Sequence, residues 1–462
     1  MIAFLVAGTG SGVGKTTIAL ALMAAFRELG HTVQPFKCGP DFLDTGHHTA
    51  ICGRISRNLD TWMLPLEANR EIFAQASRGA DVAIVEGMMG LFDGKSGEGE
   101  RGSAAEIAKL LDLPVVLVLD AAKSARSIAA VVKGFESFDP ELRFAGIVLN
   151  GVSSDGHSRM LESAITAVTA IPLLGRFPAN PALTIPERHL GLRTVEEEHP
   201  STDRNARFAE AARQYLDLAP LLQRSHGSPT LAASTPVATE VKVRIGVARD
   251  KAFSFYYEDN FDLLRACGAE IVPFSPLSDH ALPRDLDALY FGGGYPELHA
   301  EQLGANHAMI AAIRSFAESG RAIYAECGGM IYLGQSITTL DSQALPMAGV
   351  LPLSFEMTQR LVQFGYVDIE FTEDCLLGPR GLTVRGHSFH YSRLTQNDAL
   401  PTSYRVQYSL SGKTEPEGFL YKNVLASYIH LHFRGNAVLA QSFVRSVANL
   451  SPRNRDAEDL AL

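Results

Sequence analysis

Along residues 1–222, short apolar runs alternate with longer stretches in which apolar positions recur every three or four residues. The runs at 2–7, 32–36, 82–85, 114–119, 144–149 and 171–174 are short and almost uniformly apolar. They predict strands buried on both faces. The stretches 16–29, 104–111, 125–135 and 158–167 predict amphipathic helices. Alternation of this kind predicts an α/β fold, a doubly wound parallel sheet with helices on both sides. The second half begins in the same way, with strands at 243–248, 270–273, 288–291 and 322–325 and helices at 259–267 and 308–319. Beyond about residue 345 the pattern becomes β-rich. Between the halves, residues 223–240 read QRSHGSPTLAASTPVATE. That composition cannot bury enough apolar surface to fold, so it predicts a linker. The division is therefore a first domain 1–222, a linker 223–240, a second α/β domain 241–448, and a loose tail 449–462.

Composition narrows the class. The 462 residues are 46% hydrophobic and 20% charged, which suits globular domains and excludes collagen-like, coiled-coil and wholly disordered chains. A net charge of −10 argues against broad electrostatic binding of nucleic acid. No run of 18 apolar residues occurs, so no membrane span is expected. The chain opens on a strand-like run rather than a basic segment with a long apolar core, so no signal peptide is expected. The five cysteines (Cys38, Cys52, Cys267, Cys327 and Cys375) are odd in number, scattered, and contain no C-x-x-C pair. They fit a reducing cytoplasm rather than a disulfide scaffold or zinc ribbon.

Gly8-Thr9-Gly10-Ser11-Gly12-Val13-Gly14-Lys15-Thr16-Thr17 follows the first strand and opens a helix. A P-loop there lets backbone N–H groups around Gly10, Gly12 and Gly14 converge on phosphate oxygens, at the favourable end of the helix dipole. Lys15 would reach the β- and γ-phosphates of ATP, with Thr17 beside it, and the Thr16 hydroxyl would bind Mg²⁺. The strict pattern has glycine at position 9, where this chain has Thr9. Glu86 closes the run 82–85, where ligands bind in open α/β sheets. Lys37, Asp41, Asp44 and Asp93 also follow strands. Any one of these acids could be a turn or cap residue; several beside a phosphate loop suggest a metal and phosphate site. Asn150 could read a base edge or merely end its strand.

In the second half, Arg321-Ala322-Ile323-Tyr324-Ala325-Glu326-Cys327-Gly328-Gly329-Met330 is an apolar strand running into Cys-Gly-Gly and then a helix. A tight strand-to-helix turn exposes its apical side chain, and small neighbours let it form. A helix N-terminus there favours a thiolate nucleophile. The Gly328 N–H and an N–H from Gly292-Gly293-Gly294 could form an oxyanion hole. A base must accompany the thiol. Alternation in Ser427-Tyr428-Ile429-His430-Leu431-His432 puts His430 and His432 on one face of an extended segment. His387 and His390 form a second pair, and spacing does not choose between His430 and His390.

Taken together, these blocks resemble the cobyrinic acid a,c-diamide synthase family of cobalamin-pathway amidotransferases, over roughly residues 1–445. In the first half, which resembles the dethiobiotin-synthetase-like ATPases, the matching blocks are QPFKCGPDFLDTGHH, SRNLDTWM, IVEGMMGLFDG, GIVLNGV and PERHLGL. In the second half, which resembles a class I glutamine amidotransferase, they are VARDKAFSFYY, FSPLSD, FGGGYPELHAEQL, AECGGMIYL, RGHSFHYSRL and ASYIHLHF. The resemblance implies that Cys327 attacks the glutamine amide and that His430 acts as base and acid. It implies a Cys–His dyad, because His432 stands where many class I enzymes have glutamate. It further implies Thr16, Asp41 and Glu86 around Mg²⁺, Asp44 and Asp93 in handling substrate and γ-phosphate, and Lys37 in stabilising the transferred phosphate. ATP would activate a carboxylate as an acyl phosphate. Phe42, where the family often has tyrosine, and Ser388, where it has glutamate, depart from the pattern. The implied partners are a corrinoid carboxylate, glutamine and ATP, with neither nucleic acid nor membrane; a homodimer is left open. Hydrogenobyrinate or nickel-sirohydrochlorin as substrate, a free-standing glutaminase, and a partition-type ATPase switch are the competing readings.

Overall fold

A computed structural model of the chain describes residues 1–179, 183, 187–188, 191–192, 202–223, 242–397 and 400–451. The chain divides into two compact units, Met1–Ala233 and Ser234–Leu462. The expected linker beyond residue 223 and the tail beyond residue 451 lie outside the described residues. The expected start of the tail, residue 449, falls inside the helix Val438–Leu450, whose Phe443 and Val447 are fully buried.

In the first unit the strands are β1 (Ile2–Gly8), β2 (Val33–Cys38), β3 (Arg57–Leu59), β4 (Val82–Glu86), β5 (Val115–Asp120), β6 (Phe144–Asn150) and β7 (Leu173–Phe177). They form one sheet in the order β3-β2-β4-β1-β5-β6-β7, and every pair is parallel. Almost every residue of β1, β2 and β4 is buried, as uniformly apolar runs require of a sheet covered on both faces. The helix Lys15–Glu28 is buried from Ile18 to Phe26, with Phe208 and Ala212 of Thr202–Tyr215 in the same core. Strand order reverses at β1, which pairs with β4 on one side and β5 on the other, so the C-terminal ends of β2, β4 and β1 share one edge.

The sequence pattern misses the helix Leu43–Cys52 and the strand β3. The helix carries Thr45, Gly46, His47, His48 and Thr49, all weak helix formers. Burial of His47, His48, Ile51 and Cys52 holds it in place, and Gly53 ends it with φ 65°.

In the second unit, after the short pair β8 (Glu187–Arg188) and β9 (Gly191–Leu192) of the first, come β10 (Val243–Ala248), β11 (Ala269–Phe274), β12 (Ala288–Phe291) and β13 (Ala322–Glu326). The β-rich remainder is β14 (Ser336–Thr338), β15 (Ala344–Pro346), β16 (Leu353–Met357), β17 (Gln363–Phe371), β18 (Thr383–His390), β19 (Ser392–Asn397), β20 (Thr402–Tyr408), β21 (Thr414–Tyr421), β22 (Val424–Ser427) and β23 (His430–Leu431). Ten of these strands form a mixed sheet, β11-β10-β12-β13-β22-β21-β20-β17-β18-β23, and β15-β14-β16-β19 form a smaller one. The stretch β11 to β22 is parallel. β13 and β22 are neighbours, and β18 pairs with β23 through His387 and His430. This pairing draws three sequence-distant segments onto one edge.

Candidate functional site

The phosphate loop leaves β1 at Gly8, and Gly12 and Gly14 take φ of 76° and 94°, values that glycine adopts without strain. A Cβ at Gly14 would lie 2.1 Å from Asn150 Nδ2. That amide donates to the Val13 carbonyl at 3.0 Å, so Asn150 braces the loop from the end of β6. Nothing lies within 4 Å of a Cβ built on Gly10. Lys15 Nζ curls back to the Gly10 carbonyl at 2.8 Å. Burial, and then the like charge of Lys37, push the Lys15 ammonium below its ordinary value. Thr17 is half-buried on the first turn of the helix.

Glu86, fully buried at the end of β4, is the hub of the site. Its Oε1 accepts from the Thr16 hydroxyl at 2.7 Å and from Lys37 Nζ at 2.8 Å. Its Oε2 meets His48 Nε2 at 2.7 Å. Lys37 faces Glu86 because the two residues are register partners on β2 and β4. Lys37 Nζ also donates to Asp44 Oδ2 at 2.5 Å. Burial opposes charge on Lys37, but the Asp44 and Glu86 carboxylates override it and hold the lysine well above its ordinary value. Burial likewise opposes charge on Glu86, and Lys37 and His48 pull it below the usual carboxylate range. Asp44 is pushed the other way, by burial and then by the neighbouring Asp41 and Glu86, and its Oδ1 has no hydrogen-bond partner among the described residues. Asp41 Oδ1 accepts the Asp44 N–H at 2.9 Å, so Asp41 caps the helix it precedes. Asp93 Oδ2 accepts the Gly90 N–H at 2.7 Å, and its charge acts on Lys15.

Lys15, Thr16, Lys37, Asp41, Asp44, Glu86 and Asp93 thus share one charged cluster. His48, which sequence reasoning missed, lies at its centre. Its only signal was its place in the GHH of a matching block, since a histidine in a buried helix leaves no periodic trace. Among the described residues, no group of three or more Asp, Glu, His or Cys side chains could hold a metal by itself. The Thr16 hydroxyl and the Glu86 carboxylate instead bring two oxygens together at the phosphate loop. That fits Mg²⁺, which usually keeps waters and takes its other oxygens from phosphates.

In the second unit, β13 ends at Glu326 and the helix Gly328–Leu333 begins two residues on. Between them Cys327 takes φ 46°, ψ −105°, strain of the kind that functional turns hold. The turn is pinned by the Cys327 N–H to the Ser427 carbonyl at 2.7 Å. It needs its glycines: a Cβ on Gly329 would lie 2.5 Å from the Phe291 carbonyl, and one on Gly328 3.0 Å from Gly294 N. Gly328 and the run Gly292–Gly294 are therefore neighbours. A Cβ on Gly293 would lie 2.4 Å from His430 Cε1.

His430 is buried beside the elbow, and the Cys327 thiol donates to the Phe389 carbonyl at 3.9 Å. Burial alone would lower the pKa of His430, but Cys327 and Glu326 raise it to about 9. His430 Nδ1 lies 3.7 Å from Glu326 Oε2, so the carboxylate beside this histidine comes from the residue preceding the nucleophile. His390 stacks on Tyr428 at 3.8 Å and bonds the Ser392 carbonyl through Nδ1 at 2.7 Å. Geometry thus separates the two candidates that spacing could not. β23 ends at Leu431, and His432 Nδ1 accepts the Arg434 N–H at 3.3 Å. His432 is itself extended, with φ −96° and ψ 111°, and the turn begins after it at Phe433, so the extended segment reaches from His430 to His432. All five cysteines are free, and no helix among the described residues is long and apolar enough to cross a membrane.

A P-loop sheet with a lysine–carboxylate cluster, joined in one chain to a strained cysteine elbow with its histidine, defines a nucleotide-dependent glutamine amidotransferase. Residues 4–192 match the CobQ/CobB/MinD/ParA nucleotide binding domain, and residues 244–438 match the CobB/CobQ-like glutamine amidotransferase domain. The cobyrinate a,c-diamide synthase of Priestia megaterium is 40% identical over 455 residues, 98% of each chain. Those of Leptospira interrogans and Salmonella typhimurium are 42% and 41% identical over 447 residues, covering 96% of this chain and 97% of each relative. The chain belongs to the cobyrinate a,c-diamide synthase family, and it is a carbon–nitrogen ligase with glutamine as nitrogen donor.

Proposed function

We propose that the protein amidates the a and c carboxylates of cobyrinate, using glutamine and Mg-ATP, by way of acyl phosphates. The observation that carries this reading is the joining, in a member of this family, of the Lys37–Asp44–Glu86 cluster beside a P-loop to the Cys327–His430 elbow. In the second unit the Cys327 thiolate attacks the side-chain carbonyl carbon of glutamine, the Gly328 and Gly294 N–H groups stabilise the oxyanion, the N–H groups of Gly292 and Gly293 being taken by Tyr256 and Phe255, and ammonia leaves with a proton from His430. Water then releases glutamate from the thioester. In the first unit a substrate carboxylate oxygen attacks the γ-phosphorus of ATP and ADP departs. Ammonia displaces phosphate from the resulting acyl phosphate to give the amide.

Lys15 and the loop N–H groups hold the phosphates, and Lys37 balances charge on the group in transfer. Mg²⁺ would be held by Thr16 and Glu86, with Asp41 beside them, and would neutralise developing charge on the phosphate oxygens. Asp44 and Asp93 would orient substrate and γ-phosphate. The test is mass spectrometry of cobyrinate incubated with the protein, Mg-ATP and glutamine, beside Cys327→Ala given glutamine or ammonia. Two amidations, with the variant active on ammonia alone, are expected. An unchanged cobyrinate mass with glutamine hydrolysis intact would refute the substrate.

A further inference from the structure

We propose that Glu326 positions His430 and stabilises its imidazolium during glutamine hydrolysis, so that the nucleophile and the acid of the site are consecutive residues. The inference rests on the reading of Cys327 and His430 as nucleophile and base.

Glu326 is almost fully buried at the end of β13. Its Oε1 accepts from Tyr324 Oη at 2.6 Å and from the Leu431 N–H at 3.1 Å, and its Oε2 from Tyr290 Oη at 3.2 Å. These three donors are neutral, and the ion pair found for the carboxylate is with His430, Nδ1 lying 3.7 Å from Oε2. A buried carboxylate without a cation is costly; an imidazolium at His430 supplies one. In a regular strand residues 326 and 327 would point to opposite faces. The φ of 46° at Cys327 breaks that alternation, while the Leu431 N–H ties the backbone beside His430 to the same carboxylate. With Nδ1 toward Glu326, Nε2 is left for the thiol.

At 3.7 Å the contact is ionic rather than hydrogen-bonded. When the Cys327 proton moves to Nε2 the ring becomes cationic, and Nδ1–H is drawn to Oε2. The thiolate pair then forms the S–C bond, the C–N bond breaks, and the Nε2 proton leaves with ammonia.

Among the described residues, titratable groups near the ring include Cys327, His387 stacked at 4.8 Å, and His390, with His432 two residues on. Tyr290 and Tyr324 act through the carboxylate. Burial keeps His387 and His390 below their ordinary range, so neither supplies Glu326 with a cation in place of His430.

The test is glutamate release together with the His430 titration, read by NMR of ¹³C-labelled histidine and identified by its absence in His430→Gln. Glu326→Gln is expected to lower kcat about 100-fold or more, the scale of a general acid–base contribution. KM for glutamine should stay within about threefold, as for an interaction made in the transition state, and the His430 midpoint should fall. Glu326→Asp should recover part of both. Tyr324→Phe, which removes a donor and leaves the carboxylate more basic, should raise the midpoint. Wild-type kcat and midpoint in Glu326→Gln would overturn the role; if that variant does not fold, an unmoved midpoint in Tyr324→Phe does so. Glutamine hydrolysis surviving in Cys327→Ala would instead overturn the underlying nucleophile reading, and this proposal with it.

Discussion

Single side chains in this protein act through charges and contacts that tolerate little change. Gly293 is the sharpest steric case. A Cβ there would lie 2.4 Å from His430 Cε1 and 3.3 Å from Phe255 Cβ, so Gly293→Ala must displace the imidazole. Glutamate release should fall by about 100-fold, the scale of a lost general base, while ammonia-dependent amidation keeps its rate. Assaying the variant with the two nitrogen sources in parallel checks this. Lys37 is the electrostatic case. Its ammonium is shared by Asp44 and Glu86, all three buried. Lys37→Met leaves two carboxylates without their cation and should cost about 3 kcal/mol of stability, read from urea denaturation. Part of that cost is relieved by protonating Asp44, whose pKa burial and Asp41 already push up.

At the scale of elements, strand order decides which residues meet. β2, β4 and β1 are adjacent, so Lys37, Glu86 and the phosphate loop converge although they are far apart in sequence. The pairing of β18 with β23 similarly stacks His387 on His430. At the end of β18, His390 carries a pH consequence. Burial, with a smaller contribution from His430, lowers its pKa from 6.5 to about 4, against the opposing bond to the Ser392 carbonyl. The unfolded chain therefore binds more protons than the folded one between these values. Stability from this group is complete above pH 6.5 and is lost as pH falls toward 4, by about 3 kcal/mol. Thermal denaturation of wild type and His390→Asn across that range should show the wild type falling more steeply. Parallel slopes would contradict the assignment.

At the scale of the whole molecule, one unit carries the nucleotide binding domain and the other the glutamine amidotransferase domain. Their variants should sort by nitrogen source. Lys15→Met should abolish amidation with glutamine and with ammonia alike, because phosphate binding serves both. Cys327→Ala should lose glutamine alone. Product mass spectra under the four conditions check this, and ammonia-supported turnover in Lys15→Met would detach the phosphate loop from the chemistry.

The sequence by itself determined what local chemistry can determine. Uniform apolar runs marked β1, β4, β5 and β6 as buried strands, because a strand covered on both faces has no polar side to show. The glycines around Lys15 and those after Cys327 marked tight turns, because only small residues fit them. Its place at the end of the run 82–85 marked Glu86, and the matching blocks carried the family and, with it, the role of His430. Tertiary structure alone decided the rest. The helix Leu43–Cys52 exists through burial of weak helix formers, so its sequence carries no helical period. His48 became a partner of Glu86, and Glu326 a partner of His430, through packing that no spacing encodes. Asn150, open between a base reader and a strand end, lies where β6 delivers its amide to the Val13 carbonyl. Spacing left His430 and His390 level; the pairing of β18 with β23 is what sets the His430 ring against Gly293 and Glu326 while His390 stacks on Tyr428. Period and glycine content are properties of neighbours along the chain; the electrostatics of a buried site depend on which chain segments fold against each other.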